Sequence, residues 1–152
     1  MTLEENIGYD FKNKDLLNRA LTRKAYANEL KQKNQESEDQ EIFRTLGDAV
    51  LKAVLIDLLI ESGCNSRDDI TGRKKNLERE EGLAEMSKQL GIGPHIKLGI
   101  GEKKQNADEE PYVLAETFEA LVAAIYLDGG FEVTRNIIKR LFKNHLNGQN
   151  ET

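Results

Sequence analysis

At 152 residues, with 22 Lys and Arg against 27 Asp and Glu, the chain has a formal net charge of −5, which excludes a protein that grips nucleic acid by bulk positive charge. The length suits a single domain with its own core, and the one cysteine, Cys64, leaves no intrachain disulfide and suits a reducing compartment. The N-terminal MTLEENIGYDF lacks a basic stretch followed by an apolar run, and no apolar run is long enough to span a bilayer, so the expectation is a soluble, cytoplasmic protein with no membrane partner.

In chain order, a short amphipathic turn ends near Gly8, and a first helix follows from Asp15 to about Thr22, with Leu16, Leu17, Ala20 and Leu21 at helical spacing. A weaker helix spans Lys24 to Lys31, and the apolar-free KNQESEDQ reads as a mobile loop. Gln40 to Glu61 then forms one long helix. From Val50 to Ile60 only Lys52 and Asp57 interrupt its apolar run, the pattern of a helix buried on most sides. Its first half instead carries a charged stripe of Glu41, Arg44, Asp48 and Lys52.

Gly63 stops this helix, Ser66 caps a strongly charged segment from Arg67 to Glu80, and Leu83, Met86 and Leu90 mark one face of the next helix. IKLGIGEKKQNADEEPYV reads as an ordered turn leading into a flexible loop. Leu114 to Leu127 is a second buried helix, broken only by Glu116, Thr117 and Glu119, and Asp128-Gly129-Gly130 ends it. Phe131 to about His145 reads as one last amphipathic helix, followed by a polar tail over 147–152. No strand-type alternation is sustained, so the fold class is all-α.

Glu116 and Glu119 share a helix face, and two ionised carboxylates against apolar surface need cations, either basic side chains or a metal. If Asp48 faces them, three carboxylates converge, which is how oxygen-liganded Mg2+ or Mn2+ is held. The alternative for the same residues is a salt-bridged core: Asp48 with Arg44 and Lys52, one turn before and after it, and the glutamates with other basic side chains. Arg73-Lys74-Lys75 and Lys103-Lys104 are local basic segments that either meet phosphates or form solvated surface.

Leu46-Gly47-Asp48-Ala49-Val50-Leu51 resembles the signature helix of the ribonuclease III nuclease domain, and Leu114-Ala115-Glu116-Thr117-Phe118-Glu119-Ala120-Leu121 its second catalytic helix. Leu83-Ala84-Glu85-Met86, the Leu98-Gly99-Ile100-Gly101-Glu102 turn and the stretch from Ala20 to Glu29 are also similar, with Arg23 where a histidine is usual and Ala25 where a serine is. The resemblance runs over roughly residues 6 to 145. It implies an all-helical nuclease domain over 1–146, built around the long signature helix, that forms a homodimer and cuts double-stranded RNA with Mg2+ or Mn2+, leaving 5′-phosphate and 3′-hydroxyl ends. The chain then resembles minimal members made of the nuclease domain alone.

By position, the resemblance implies metal-binding roles for Asp48, Glu116 and Glu119, with Glu116 replacing the usual aspartate, and a place in or near the site for Glu41. Asp48 and Glu119 are the candidate catalytic pair, and Arg44, Arg73 and Lys74 are candidate contacts to the RNA backbone by their own chemistry, a planar guanidinium and a local basic segment. Arg44 departs from the pattern, because it stands where the family has a ligand glutamate, and Thr45 stands where an aromatic makes the dimer contact. Glu41 lies about 10 Å up the helix from Asp48 and does not replace the lost ligand unaided. Besides the nuclease, two readings stay open: an impaired homologue that binds RNA or serves assembly, and a nucleotide pyrophosphohydrolase using Glu38 with Glu41 and Glu116 with Glu119.

Overall fold

The computed structural model describes residues 1–148. Helices α1 (Leu3–Ile7), α2 (Lys14–Ala20) and α3 (Lys24–Gln32) lead into the long α4 (Glu41–Glu61). Helices α5 (Arg67–Leu77), α6 (Glu80–Leu90) and the short α7 (Ile100–Lys104) precede the second long helix, α8 (Pro111–Gly129), and α9 (Phe131–Leu141) and α10 (Lys143–Gly148) follow it. Two 3-10 turns, Gly93–His95 and Ala107–Glu109, flank α7. The fold is all-α. Among the described residues the only β-type pairing is an isolated bridge between Thr22 and Lys97.

Local chemistry sets the ends of the helices. Thr2 and Glu5 form a capping box at the start of α1, Asn13 accepts from the Asp15 N–H at α2, and Ser66 accepts from the Asp69 N–H at α5. Gly130, at φ 91°, turns the chain from α8 into α9, a backbone conformation that favours glycine.

Helices α4 and α8 share the most extensive contact in the molecule, and α6, α2 and α9 pack around them. Val50, Leu51, Val54, Leu55, Leu58 and Leu59 of α4 are buried, as are Val113, Leu114, Phe118, Leu121, Val122 and Ile125 of α8. Burial of side chains of this kind contributes roughly 1.5–3 kcal/mol each, so this helix pair dominates the core. Arg135 of α9 clamps the far end of α4, donating to Asp57 at 2.5 Å and Glu61 at 2.7 Å.

Helix α4 is buried on most sides, as expected, with Ile60 exposed near its end. Three sequence expectations need correction. The segment after Leu98 is not a turn and loop but folds into α7 and a 3-10 turn, because Glu29 and Glu102 cap its start: the Ile100 N–H donates to Glu29 and the Gly99 N–H to Glu102. The last helix is divided between α9 and α10 at Phe142, where ψ opens to 10°. Residues 147 and 148 belong to α10 rather than to a tail; the tail expected over 149–152 lies outside the described residues.

Candidate active site

The site begins with a glycine. A Cβ built on Gly47 would lie 1.7 Å from the carbonyl oxygen of Glu119, so α4 and α8 touch backbone to backbone at this level, an approach open only to glycine. That contact sets Asp48, the next residue on α4, beside the Glu119 side chain. The two carboxyls lie close enough for each to shift the other's proton affinity.

Burial, then the hydrogen bond and negative charge of Asp48, push the Glu119 carboxyl up to about 8. Asp48 moves the other way. Burial alone would raise it, but hydrogen bonds from Lys52 and Glu119, with the charges of Lys52 and Lys74, hold it below the usual aspartate value. The two carboxyls therefore share one proton unequally at neutral pH.

Lys52 Nζ bridges Asp48 at 2.7 Å and Glu78 at 3.1 Å. Glu78 follows the last residue of α5 and also accepts from Lys74 at 3.3 Å. Its Oε2 atom is buried and has no hydrogen-bond partner.

Glu116, one turn before Glu119 on α8, belongs to a separate network. Arg23 donates to its Oε1 at 2.7 Å, and Arg44 reaches the same oxygen at 2.5 Å. Arg23 also pairs with Glu102 at 3.2 Å and donates to the Gln40 side chain at 3.2 Å. Glu41 stands between Lys24 at 3.6 Å and Arg44 at 3.9 Å.

Two main-chain bonds fix the root of Arg23, whose N–H donates to the Lys97 carbonyl while the Lys97 N–H donates to that of Leu21. Gln40 is almost fully buried at the head of α4 and donates to the Ala20 carbonyl at 2.7 Å and to Thr117 at 3.3 Å.

The expected convergence of Asp48, Glu116 and Glu119 is therefore not what the geometry gives. Asp48 and Glu119 meet, whereas two guanidinium groups hold Glu116 and Glu41 pairs with cations of its own. Among the described residues no three acidic, histidine or cysteine side chains gather closely enough to share one ion. Ammonium-to-oxygen contacts are longer than bonds to Mg2+, and Lys52 keeps its carboxylates at that wider spacing.

Arg44 does not turn to Asp48, as the salt-bridged alternative expects, but to α8. The basic pair is also divided. Lys74 lies at the site, while Arg73 donates to Cys64 Sγ at 2.9 Å and pairs with Asp69. Sequence reasoning assigned nothing to Glu78 or Gln40; for Glu78 the available signal was its spacing of four residues from Lys74 on a helix.

Asp48 and Glu119 are the part of this donor set that suits a divalent cation, two adjacent carboxyls rather than three. Around Glu116 a cation does not fit, because two arginines already neutralise that carboxylate.

An all-helical domain with acidic side chains paired across its two longest helices defines a class of candidate hydrolase. Comparison with known proteins narrows it: the family model described as Ribonuclease-III-like matches residues 13–146, and the chain belongs to that family. It is 39% identical over 142 residues to ribonuclease 3 of Bdellovibrio bacteriovorus, covering 93% of this chain and 59% of that protein. With ribonuclease 3 of Borreliella afzelii it shares 36% over 139 residues, 91% of this chain and 56% of the relative. The chain thus spans less than two thirds of the length of these curated relatives.

The crystal structure of the nuclease domain of ribonuclease III from Campylobacter jejuni superposes with a TM-score of 0.81 at 32% identity, over 93% of this chain and 92% of that one. A second structure of that domain, reported for flexibility in a region involved in dimer formation, gives 0.84 at 30%, over 94% and 95%. The pyrophosphohydrolase reading has no support in this family or in the geometry, since Glu38 pairs with Arg19 rather than joining Glu41.

Proposed function

We propose that the chain is an endoribonuclease that cleaves double-stranded RNA in a Mg2+- or Mn2+-dependent reaction, as a homodimer, leaving 5′-phosphate and 3′-hydroxyl ends. The observation that carries this reading is the Asp48–Glu119 pair, two carboxyls set side by side where α4 and α8 touch backbone to backbone at Gly47, in a chain whose relatives are named ribonuclease 3. Asp48 and Glu119 would hold the cation. When bound, such an ion supplies Lewis acidity toward water and the phosphodiester oxygens.

The chain's own groups do the rest. Lys52 and Lys74 set positive charge against the paired carboxyls, which lowers the repulsion an approaching phosphate meets. Arg44, partly exposed on the same helix, offers a planar fork suited to phosphate oxygens. Duplex recognition then rests on backbone shape and 2′-hydroxyls, because side chains do not read the narrow A-form major groove.

A homodimer places two such centres across a duplex, matching its two-fold symmetry. Exposed Ile42, Ile100 and Tyr112, on the helices that carry Arg44, Glu102 and Glu116, support a contact at that end of the molecule. Sedimentation that finds only monomer at micromolar concentration would remove the dimer.

The test of the activity is labelled double-stranded RNA with Mg2+ or Mn2+, using the unaltered chain, Glu119→Gln and Arg44→Glu. Cleavage by the unaltered chain that Glu119→Gln abolishes is the expected result. One observation favours a second reading, a homologue that binds duplex RNA without cutting it: the Arg44–Glu116 pair at 2.5 Å, a fixed positive charge in the candidate site. Duplex bound intact by the unaltered chain, with cleavage appearing only in Arg44→Glu, would establish that reading and overturn the first.

A further inference from the structure

Resting on the reading that the chain binds double-stranded RNA, we infer that Lys52 and Lys74 form a receptor for one backbone phosphate, and that Glu78 fills it in the free chain as a stand-in which RNA displaces.

A single carboxylate oxygen sits between the two ammonium groups. Glu78 Oε1 lies 3.1 Å from Lys52 Nζ and 3.3 Å from Lys74 Nζ, so cations from α4 and α5 converge on one anionic oxygen. A phosphate oxygen accepts charge-assisted bonds from ammonium groups in the same way. Among the described residues Lys74 pairs with no other carboxylate. Lys52 is 41% exposed and also meets Asp48 at 2.7 Å, so an anion received here comes to rest beside the Asp48–Glu119 pair.

Two features make Glu78 a replaceable occupant. Its Oε2 atom is buried without a hydrogen-bond partner, which is destabilising and calls for a specific cause. Turning the side chain outward gives that oxygen water, while a phosphate taking over from Oε1 keeps both lysines paired. Glu78 also stands at the C-cap of α5, after two lysines in its last turn. A helix C-terminus disfavours a negative charge, so nothing in the helix itself accounts for a glutamate at this position.

The arginine network offers no such opening. Arg23 and Arg44 hold Glu116, Arg23 holds Glu102, and Lys24 meets Glu41. Among the described residues the only buried side-chain nitrogen or oxygen atoms without a partner are Arg73 Nε and Glu78 Oε2, so no carboxylate oxygen of that network is orphaned and it is closed.

The test is the binding of fluorescein-labelled duplex RNA to the whole chain, read by anisotropy in EDTA across a salt series, with circular dichroism to check folding. Glu78→Gln is expected to tighten binding by about threefold or more, because the receptor no longer has to be vacated. Glu81→Gln makes the same charge change at an exposed residue paired with Arg79, and is expected to alter binding by less than about twofold. Lys74→Met should weaken binding, reduce the dependence of log affinity on log salt by about one, and cancel the gain when combined with Glu78→Gln. Equal tightening in Glu78→Gln and Glu81→Gln would reduce the effect to net charge and overturn the inference. A gain that survives in the double variant would remove Lys74 from the receptor. An unchanged salt slope in Lys74→Met would overturn it as well, and that variant decides the matter even where Glu78→Gln folds poorly. Inorganic phosphate bound by Glu78→Gln in calorimetry, with no gain for duplex RNA, would assign the two lysines to a free anion and overturn the RNA assignment. Duplex bound by none of these chains would overturn both the inference and the RNA reading beneath it, whereas duplex bound alike by all of them would overturn the inference alone.

Discussion

Gly47 and the backbone carbonyl of Glu119 lie so close that a single methyl group cannot stand between them: a Cβ at position 47 would meet that oxygen at 1.7 Å. Backbone cannot yield as a flexible side chain would, so Gly47→Ala must push α4 and α8 apart. The expected cost is about 1–3 kcal/mol, the usual range for overpacking, lowering Tm by roughly 3–10 °C for a domain of this size. Separating the helices also parts Asp48 from Glu119, so any cleavage activity falls with stability. Gly72 is the control. It sits in α5 with nothing within 4 Å of an added Cβ, and Gly72→Ala is expected to stabilise by about 0.5–1 kcal/mol through helix propensity. Equal effects at the two positions in thermal melts would refute the account of the close contact.

Gln40 ties the end of α2, the residue that precedes α3, and α8 to the head of α4. Its amide donates to the Ala20 carbonyl and to Thr117, and its oxygen accepts from Arg23. Gln40→Leu keeps the approximate volume and deletes all three bonds, leaving the Ala20 carbonyl without this partner in the interior. Stability is expected to fall by about 1–3 kcal/mol, the usual cost of orphaning a buried polar group. Urea unfolding should show a lower midpoint with an unchanged slope, and a midpoint equal to that of the unaltered chain would show the network to be dispensable.

The long helices were legible because nearly unbroken apolar runs leave a buried helix as their simplest reading, and the glycines at 63 and 130 mark where they end. The pairing of Asp48 with Lys52 was legible too, since both lie on α4 at a spacing of four. What the spacing could not supply was the choice between local and distant partners. Arg44 is equally placed along α4 to reach Asp48, yet it takes Glu116, which only the packing of α8 brings near. Glu78 shows the same limit, because its approach to Asp48 depends on where α5 ends and how it lies against α4. The break at Phe142 left no trace in the sequence, for no glycine or proline marks it.

Stability in metal-free buffer should depend on pH through Glu119. Its carboxyl stands at about 8 in the folded chain against 4.5 for the free group, so between those values the folded state holds the proton more firmly than the unfolded state. Stability from this group is therefore greatest below about 4.5 and declines as pH rises toward 8. Asp48 contributes with the opposite sign, since its folded pKa is lowered; its contribution is lost only as pH falls through the acid range. Glu119→Gln removes the decline, so Tm measured with EDTA between about pH 5.5 and 8.5 should fall for the unaltered chain relative to the variant. Parallel curves would mean that Glu119 carries no retained proton.

Arg23 is the residue on which the closed side of the site depends, and lysine cannot replace it. One guanidinium meets the carboxylates of Glu102 and Glu116 and the amide oxygen of Gln40 at once, whereas an ammonium at the end of a different stem lacks the planar fork that reaches all of them. Arg23→Lys keeps the charge and is expected to cost about 1–3 kcal/mol from hydrogen bonds to charged groups. A simple charge effect would instead leave this variant near the unaltered chain and penalise only Arg23→Met. Because Arg44 shares the same Glu116 oxygen, the cost of removing Arg44 should change once Arg23→Lys is already in place. A double-mutant cycle of Arg23→Lys with Arg44→Met, read by urea unfolding, is expected to give a coupling of about 0.5 kcal/mol or more. Additive effects would show that the two arginines act on Glu116 independently, and that this carboxylate is not held by them as a unit.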